Sequence, residues 1–260
     1  MELKDSVAIV TGAARGIGRG IAESLAREGA QLVLADLPSV DADIAETKRL
    51  VESHGVQAIS VHCDVRDEAA TKAMAKAALD RFGKIDVLVN NAGVINVAAV
   101  VSMTEQQWDI VLDVNVKGTF LCSKAVAPHM MERRSGRIVN LSSQAGKRGA
   151  GGVAHYCASK FAVIGFTQSL AHELAPFDVT VNAVCPGEVD SAMWQEHLLP
   201  AIAAAGGSTK EEAWAQFMQQ RVPLGRPQTP EDIGQAVVFL CRADNITGEA
   251  LNVTGGSEMN

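Results

Sequence analysis

The sequence has no surplus of positive charge. Its 23 lysines and arginines face 30 aspartates and glutamates, for a formal charge of −7. With no long basic stretch, a general nucleic-acid binder is disfavoured. The one basic knot, Arg133, Arg134 and Arg137, reads as a solvated helix end, where cations are stabilised. A disulfide framework is lacking too. Cys63, Cys122, Cys157, Cys185 and Cys241 are odd in number and widely spaced, which fits neither paired bridges nor a zinc site. Reduced, mostly buried thiols are expected instead, and with them a cytoplasmic protein. No apolar run reaches the roughly 18 residues that span a bilayer. The opening MELKDSVAIV enters a strand-like run with no signal-peptide core, so no membrane partner is expected. No Pro/Ser-rich linker or composition shift divides the chain, and residues 1–260 read as one domain.

What is present is core-forming material, 47% hydrophobic against 20% charged. Short Val- and Ile-rich runs at Val7–Thr11, Gln31–Asp36, Ala58–Cys63, Val87–Asn90, Arg137–Leu141, Val179–Val184 and Ala250–Val253 read as strands buried on both faces. Between them lie helix-period segments such as Ile17–Glu28, Glu68–Phe82, Glu105–Met131 and Tyr156–Leu174. That alternation predicts right-handed βαβ crossovers and an α/β doubly wound parallel sheet, the Rossmann arrangement. Ser191–Arg226 breaks the pattern with Pro200, Gly206–Gly207 and Pro223. It reads as a helical excursion, either a cover over a ligand site or a structural flap.

Thr11-Gly12-Ala13-Ala14-Arg15-Gly16-Ile17-Gly18 follows the first strand and opens the first helix. Glycines there let backbone N–H groups and the positive helix terminus approach a pyrophosphate. Asp36 closes the second strand, where a carboxylate accepts hydrogen bonds from the adenosine ribose and repels a 2′-phosphate. NAD is therefore expected over NADP, although Arg15 is a cation that suits a 2′-phosphate.

Tyr156, the only tyrosine, precedes Lys160 by four residues, on one helix face. A phenol with a pKa near 10 is a poor base at neutral pH, and a neighbouring ammonium favours its phenolate. Alone, the pair also describes a half-buried Tyr beside a solvated Lys.

Together these motifs resemble the short-chain dehydrogenase/reductase family, in its branch of about 250 residues. The loop at Thr11–Gly18, Asn90-Asn91-Ala92-Gly93, Asn115 within a helix, Ser143, Tyr156 with Lys160, and Pro186-Gly187 stand in that family's order. The resemblance implies that Tyr156 is the acid/base and that Ser143 orients the substrate oxygen. Lys160 would lower the Tyr156 pKa and hold the nicotinamide ribose, and Asn115 would support a water in the proton relay. Gly12, Arg15, Gly16, Ile17, Gly18, Asp36, Asp64, Val65, Asn91, Ala92 and Gly93 would bind the cofactor. Pro186, Gly187 and Val189 would approach the nicotinamide, with Ser191 where Thr is more frequent. No metal is required.

Gln144, His155, Glu188, Met193, Trp194 and His197 flank the catalytic set and are candidates for the substrate pocket, with Glu188 the preferred contact. Polar side chains predominate among them, which suits a hydroxyl-rich ligand. His155 is either a contact or a packing residue before Tyr156. The tail Asn252–Gly256, with Lys147 and Phe161–Leu170, most resembles polyol, sugar and vicinal-diol dehydrogenases. The family also suggests a homotetramer, paired through Thr104–Met131 and Tyr156–Ala175 and through Ile233–Leu240 with the last strand. A 3-oxoacyl-carrier-protein reductase using NADPH would need a basic docking patch. A silent dinucleotide sensor would be expected to lose Tyr156 or Lys160.

Overall fold

The computed structural model describes residues 1–190, 199–200, 203 and 209–259. Its strands are β1 (Val7–Thr11), β2 (Gln31–Asp36), β3 (Ala58–His62), β4 (Val87–Asn90), β5 (Gly136–Leu141), β6 (Val179–Pro186) and β7 (Ala250–Val253). They form one sheet in the order β3-β2-β1-β4-β5-β6-β7. Every pairing is parallel. Strands β1, β4, β5 and β6 are buried along their whole length, hence their unbroken apolar runs. β3 lies at an edge, and its burial is interrupted. The doubly wound sheet is the expected one.

Helices cover both faces. On one side α1 (Gly16–Arg27) and α8 (Pro230–Arg242) bury Ile21, Leu25, Ile233 and Leu240 against Leu32 and Val89. On the other, α3 (Glu68–Phe82), α5 (Gly118–Arg133) and α6 (Ala154–Leu174) close over Ile9, Leu88 and Ile138. Helix α2 (Asp41–Glu52) packs beside α1, and α7 (Lys210–Arg221) starts from a Thr209–Glu212 capping box. The chain leaves β1 toward β3 and returns to β4 on the opposite side. The crevice at the carboxyl ends of β1 and β4 is therefore the topological switch point, where open α/β sheets bind ligands.

Two local features differ from the sequence reading. The helix expected over 105–131 is α4 (Glu105–Leu112) and α5 joined by a π turn, Asp113–Lys117. An inserted residue re-aims Asn115, and such bulges often occur at functional sites. The basic knot is a solvated helix end only in part: Arg133 and Arg134 are exposed at the C-terminus of α5, whereas Arg137 is buried, and all three are paired. Arg133 pairs with Asp86 at 2.8 Å and Arg134 with Asp178 at 3.1 Å. Arg137 is buried in β5, donates to the Cys241 carbonyl at 3.0 Å and pairs with Asp244. Each guanidinium ties distant elements together. All five cysteines are buried and unpaired. Among the described residues no helix is long and apolar enough to cross a membrane.

Candidate active site

A cleft of about 1230 Å³ runs along the carboxyl edge of the sheet, from Asp36 at the end of β2 to Pro186 at the end of β6. Its floor at β1 is the glycine loop. Gly12 has φ +64°, and a Cβ there would lie 2.9 Å from the Ala92 Cα. A Cβ on Gly18 would sit 2.0 Å from the Gly12 carbonyl oxygen, so only glycine lets the helix start this close to the loop. Asn91 braces the turn, donating from Nδ2 to the carbonyls of Thr11 (2.9 Å) and Gly12 (3.0 Å). No side chain caps the N-terminus of α1, so its first N–H groups keep their capacity for an anion. A loop that admits no side chain at Gly12 and Gly18, under an uncapped helix terminus, fits the pyrophosphate of a dinucleotide.

The adenosine end follows. Asp36 accepts from the backbone N–H of Ala14 at 2.9 Å and of Leu37 at 2.8 Å, which fixes its carboxylate at the cleft wall. Asp64 and Val65 line the same end, together with Arg66. Arg66 grips Asp64 with two parallel bonds, the shorter 2.6 Å, and holds the Asp64 carboxyl below the usual range. The sequence reading gave Arg66 no role. With Arg15 it places two cations at the nucleotide end.

The four expected catalytic residues converge. Asn115, buried at the π turn, accepts from the Val94 N–H at 2.8 Å and donates to the Val94 carbonyl and to Ser159 Oγ, both at 3.0 Å. It does not line the cleft itself but holds the Val94 segment that does. A Cβ on Gly93 would lie 3.3 Å from Asn115 Oδ1 and 3.6 Å from Lys160 Nζ, so the three adjoin. Lys160 Nζ donates to the Leu141 carbonyl at 2.7 Å and stands 5.6 Å from the Tyr156 ring centroid. Burial pushes the Lys160 ammonium down to about 8. Burial also pushes the Tyr156 phenol up to about 12, against the pull of a hydrogen bond with Ser143. The depression of the Tyr156 pKa expected from Lys160 is therefore not a property of the protein alone. Loss of water is the dominant cause for both groups, outweighing the Ser143 hydrogen bond at the phenol and the Cys185 sulfur at the ammonium.

At the substrate end Ser143, Gln144, Arg148 and Glu188 form a polar wall beside Tyr156. Gln144 Nε2 donates to Glu188 Oε1 at 2.6 Å, and Glu188 exposes no surface to water. Gly187 and Val189 line the cleft next to Pro186. His155 is buried behind the wall with Nε2 2.6 Å from Asn96 Oδ1, and it is not among the lining residues. Ser191, Met193, Trp194 and His197 lie outside the described residues. The expectation of a predominantly polar pocket needs correction, because Ile95, Val97, Val153 and Phe217 make the facing wall apolar. These residues, with Arg148 and Arg221, come from loops and from α7, whose docking no short motif announces.

Comparison with known proteins agrees with this geometry. A family model described as short chain dehydrogenase matches residues 6–199. Galactitol 2-dehydrogenase of Agrobacterium fabrum is 41% identical over 262 residues, covering 100% of both chains. The 3-oxoacyl-[acyl-carrier-protein] reductase FabG of Staphylococcus aureus is 41% identical over 254 residues, covering 97% of this chain and 98% of that protein. Among solved structures, NAD+-bound xylitol dehydrogenase superposes with a TM-score of 0.92 at 33% identity, covering 98% of this chain and 100% of the other. An actinorhodin polyketide ketoreductase with NADPH also gives 0.92, at 38% identity and 97% of each chain.

Proposed function

The chain belongs to the short-chain dehydrogenase family, and from that premise we propose that it is an NAD-dependent dehydrogenase of a polyol, sugar or vicinal diol. It would interconvert a secondary alcohol and a ketone, or a sugar hemiacetal and a lactone. The observation that carries the reaction class is the convergence of Ser143, Tyr156 and Lys160 beside a cleft built for a dinucleotide. When bound, the nicotinamide would supply the hydride acceptor or donor. Tyr156 takes the hydroxyl proton in oxidation and returns it in reduction. Ser143 orients the reacting oxygen. Lys160 has one N–H occupied by the Leu141 carbonyl. Its other two hydrogens suit the nicotinamide ribose hydroxyls. Asn115 keeps the Val94 segment in place beside them.

Preference for NAD rests on Asp36, whose carboxylate meets the ribose and repels a 2′-phosphate. The polyol reading rests on the polar wall of Ser143, Gln144 and Arg148 and is supported by the galactitol and xylitol relatives. A second reading, a 3-oxoacyl reductase using NADPH, is favoured by the apolar wall and by Arg15 and Arg66 at the nucleotide end. Steady-state assays of NAD and NADP against polyols, aldoses, vicinal diols and 3-oxoacyl thioesters decide between them. Turnover confined to NADPH and the thioesters would overturn the first.

We also infer a cytoplasmic homotetramer. Trp108, Phe120 and Phe161 are exposed on α4, α5 and α6, where the family suggests pairing. Light scattering showing a monomer would remove it. The segment 191–226 would cover the substrate, since Phe217 and Arg221 on α7 line the cleft.

A further inference from the structure

Three segments far apart in the sequence meet at the substrate end, joined by a small ring of hydrogen bonds. Gln144 Nε2 donates to Glu188 Oε1 at 2.6 Å. Gln144 Oε1 accepts from Ser257 Oγ at 2.8 Å and from Arg148 Nη2 at 3.1 Å. Ser257 Oγ also stands 3.0 Å from Glu188 Oε2 and 3.1 Å from the Thr254 carbonyl. Arg148 pairs with Glu258 at 3.2 Å. Ser257 and Glu258 belong to the tail after β7, and neither carries a sequence motif.

The chemistry of the partners fixes the ring's sense. A carboxylate accepts and a guanidinium donates, whereas a side-chain amide does both. Glu188 therefore requires the amide nitrogen of Gln144 on its side, and Arg148 requires the oxygen on the other. Turning the amide over would set oxygen against oxygen at Glu188 and hydrogen against hydrogen at Arg148. One Nε2 hydrogen of Gln144 lies outside the ring, a donor of fixed direction on the residue after Ser143. Glu188 exposes no surface to water; its Oε1 accepts from Gln144, and its Oε2 lies 3.0 Å from Ser257 Oγ, whose one hydrogen is shared among Glu188, Gln144 Oε1 and the Thr254 carbonyl. It is placed to act through Gln144 rather than on the substrate.

We propose that Glu188, Ser257 and Glu258 are positioning residues that hold Gln144 as a hydrogen-bond donor to a second oxygen, on the carbon next to the reacting one. The tail after β7 thereby sets a preference for vicinal oxygenated substrates. The inference rests on the alcohol–ketone reading above and adds the reason why a neighbouring oxygen is recognised.

The test uses the full chain and two probes, butane-2,3-diol and butan-2-ol, which differ by that second oxygen. Glu188→Gln supplies a partner that both donates and accepts, so only Arg148 still opposes reversal of the Gln144 amide; Ser257→Ala opens the ring from the tail. Each variant is expected to raise KM for the diol about tenfold, the scale of one lost directed hydrogen bond. KM for butan-2-ol, kcat, and NAD affinity measured by fluorescence should stay within about twofold. Ser257→Thr keeps the hydroxyl and should restore the diol KM. If KM for both probes rises together, or kcat falls while the diol KM holds, the positioning role is wrong. Should Glu188→Gln fail to fold, Ser257→Ala with its Thr rescue decides alone. A wild-type enzyme that oxidises neither probe but reduces 3-oxoacyl thioesters refutes the substrate reading. The ring is then judged by whether the same variants spare a simple ketone and penalise a 2-hydroxy ketone, whose second oxygen is on the adjacent carbon.

Discussion

Tyr156, half-buried at the cleft wall, and Lys160, buried beside it, both lose water, which acts on each in the direction that removes its charge. The phenol stands at about 12 and the ammonium at about 8. A neutral phenol is a ready acid, so the resting protein suits ketone reduction, whereas alcohol oxidation needs the phenolate. Below the phenol's pKa the phenolate fraction falls tenfold for every pH unit. With NAD saturating, kcat/KM for oxidation is therefore expected to rise with pH until it levels at the phenol's pKa in the complex. Lys160→Met should move that inflection to higher pH, because the cation that favours the phenolate is gone. A pH–rate series of both proteins checks this, and an inflection that stays put would show that Lys160 does not act on the phenol. Tyr156→Phe should lower turnover by about 10²- to 10⁴-fold, the usual worth of a positioned acid or base. Cofactor binding should persist, as read by fluorescence titration. Wild-type turnover in that variant would sink the proton-transfer role.

The elements that hold these groups were readable to different depths. Strands β1, β2, β4 and β7 have the predicted ends, because the apolar composition of a strand is a local signal, although β5 and β6, buried throughout, run one and two residues longer than predicted. The phosphate loop was legible for a similar reason, since its glycines answer a local steric demand. Gly18→Ala tests that demand. Its Cβ would sit 2.0 Å from the Gly12 carbonyl oxygen, closer than any contact allows, so the loop and α1 must separate. Cofactor affinity is expected to fall more than about tenfold, with the melting temperature also lowered, since a forced backbone shift costs roughly 1–3 kcal/mol. Unchanged NAD affinity would mean the loop does not cradle the phosphates. The π turn at Asp113–Lys117 was not legible, because an inserted helical residue leaves the apolar period on either side intact. Nor was the Gln144–Ser257 contact, which spans 113 positions and depends on where the tail docks.

Across the whole molecule, the three arginines of the basic knot are long-range ties, two of them exposed at the end of α5 and the third buried in β5. Arg133, Arg134 and Arg137 find carboxylates 47, 44 and 107 positions away, a distance no local pattern reports. The Asp86 tie reaches furthest into the fold. Asp86, buried just before β4, accepts from the Val7 N–H of β1 at 2.8 Å and pairs with Arg133 of α5 at 2.8 Å and with Lys84 at 3.0 Å. Burial opposes its charge, but Arg133, the Val7 N–H and Lys84 outweigh it and leave the carboxyl below its usual range. A folded-state value lower than the unfolded one, about 3.9 for Asp, means that the unfolded chain binds the proton first as pH falls. The stability contributed by Asp86 is thus fully present well above pH 4 and is lost as pH drops through the folded value. Asp86→Asn keeps the size but removes the charge. At pH 7 it should cost about 2–3 kcal/mol in urea denaturation. That is less than the loss of a fully buried partner, because Arg133 and Lys84 are 33% and 36% exposed and solvent screens them. Near pH 3 the gap between variant and wild type should narrow markedly, since the wild-type carboxyl is then losing its own charge. An equal gap at both values would mean that packing around residue 86, and not its ionised pairing, joins β1, β4 and α5.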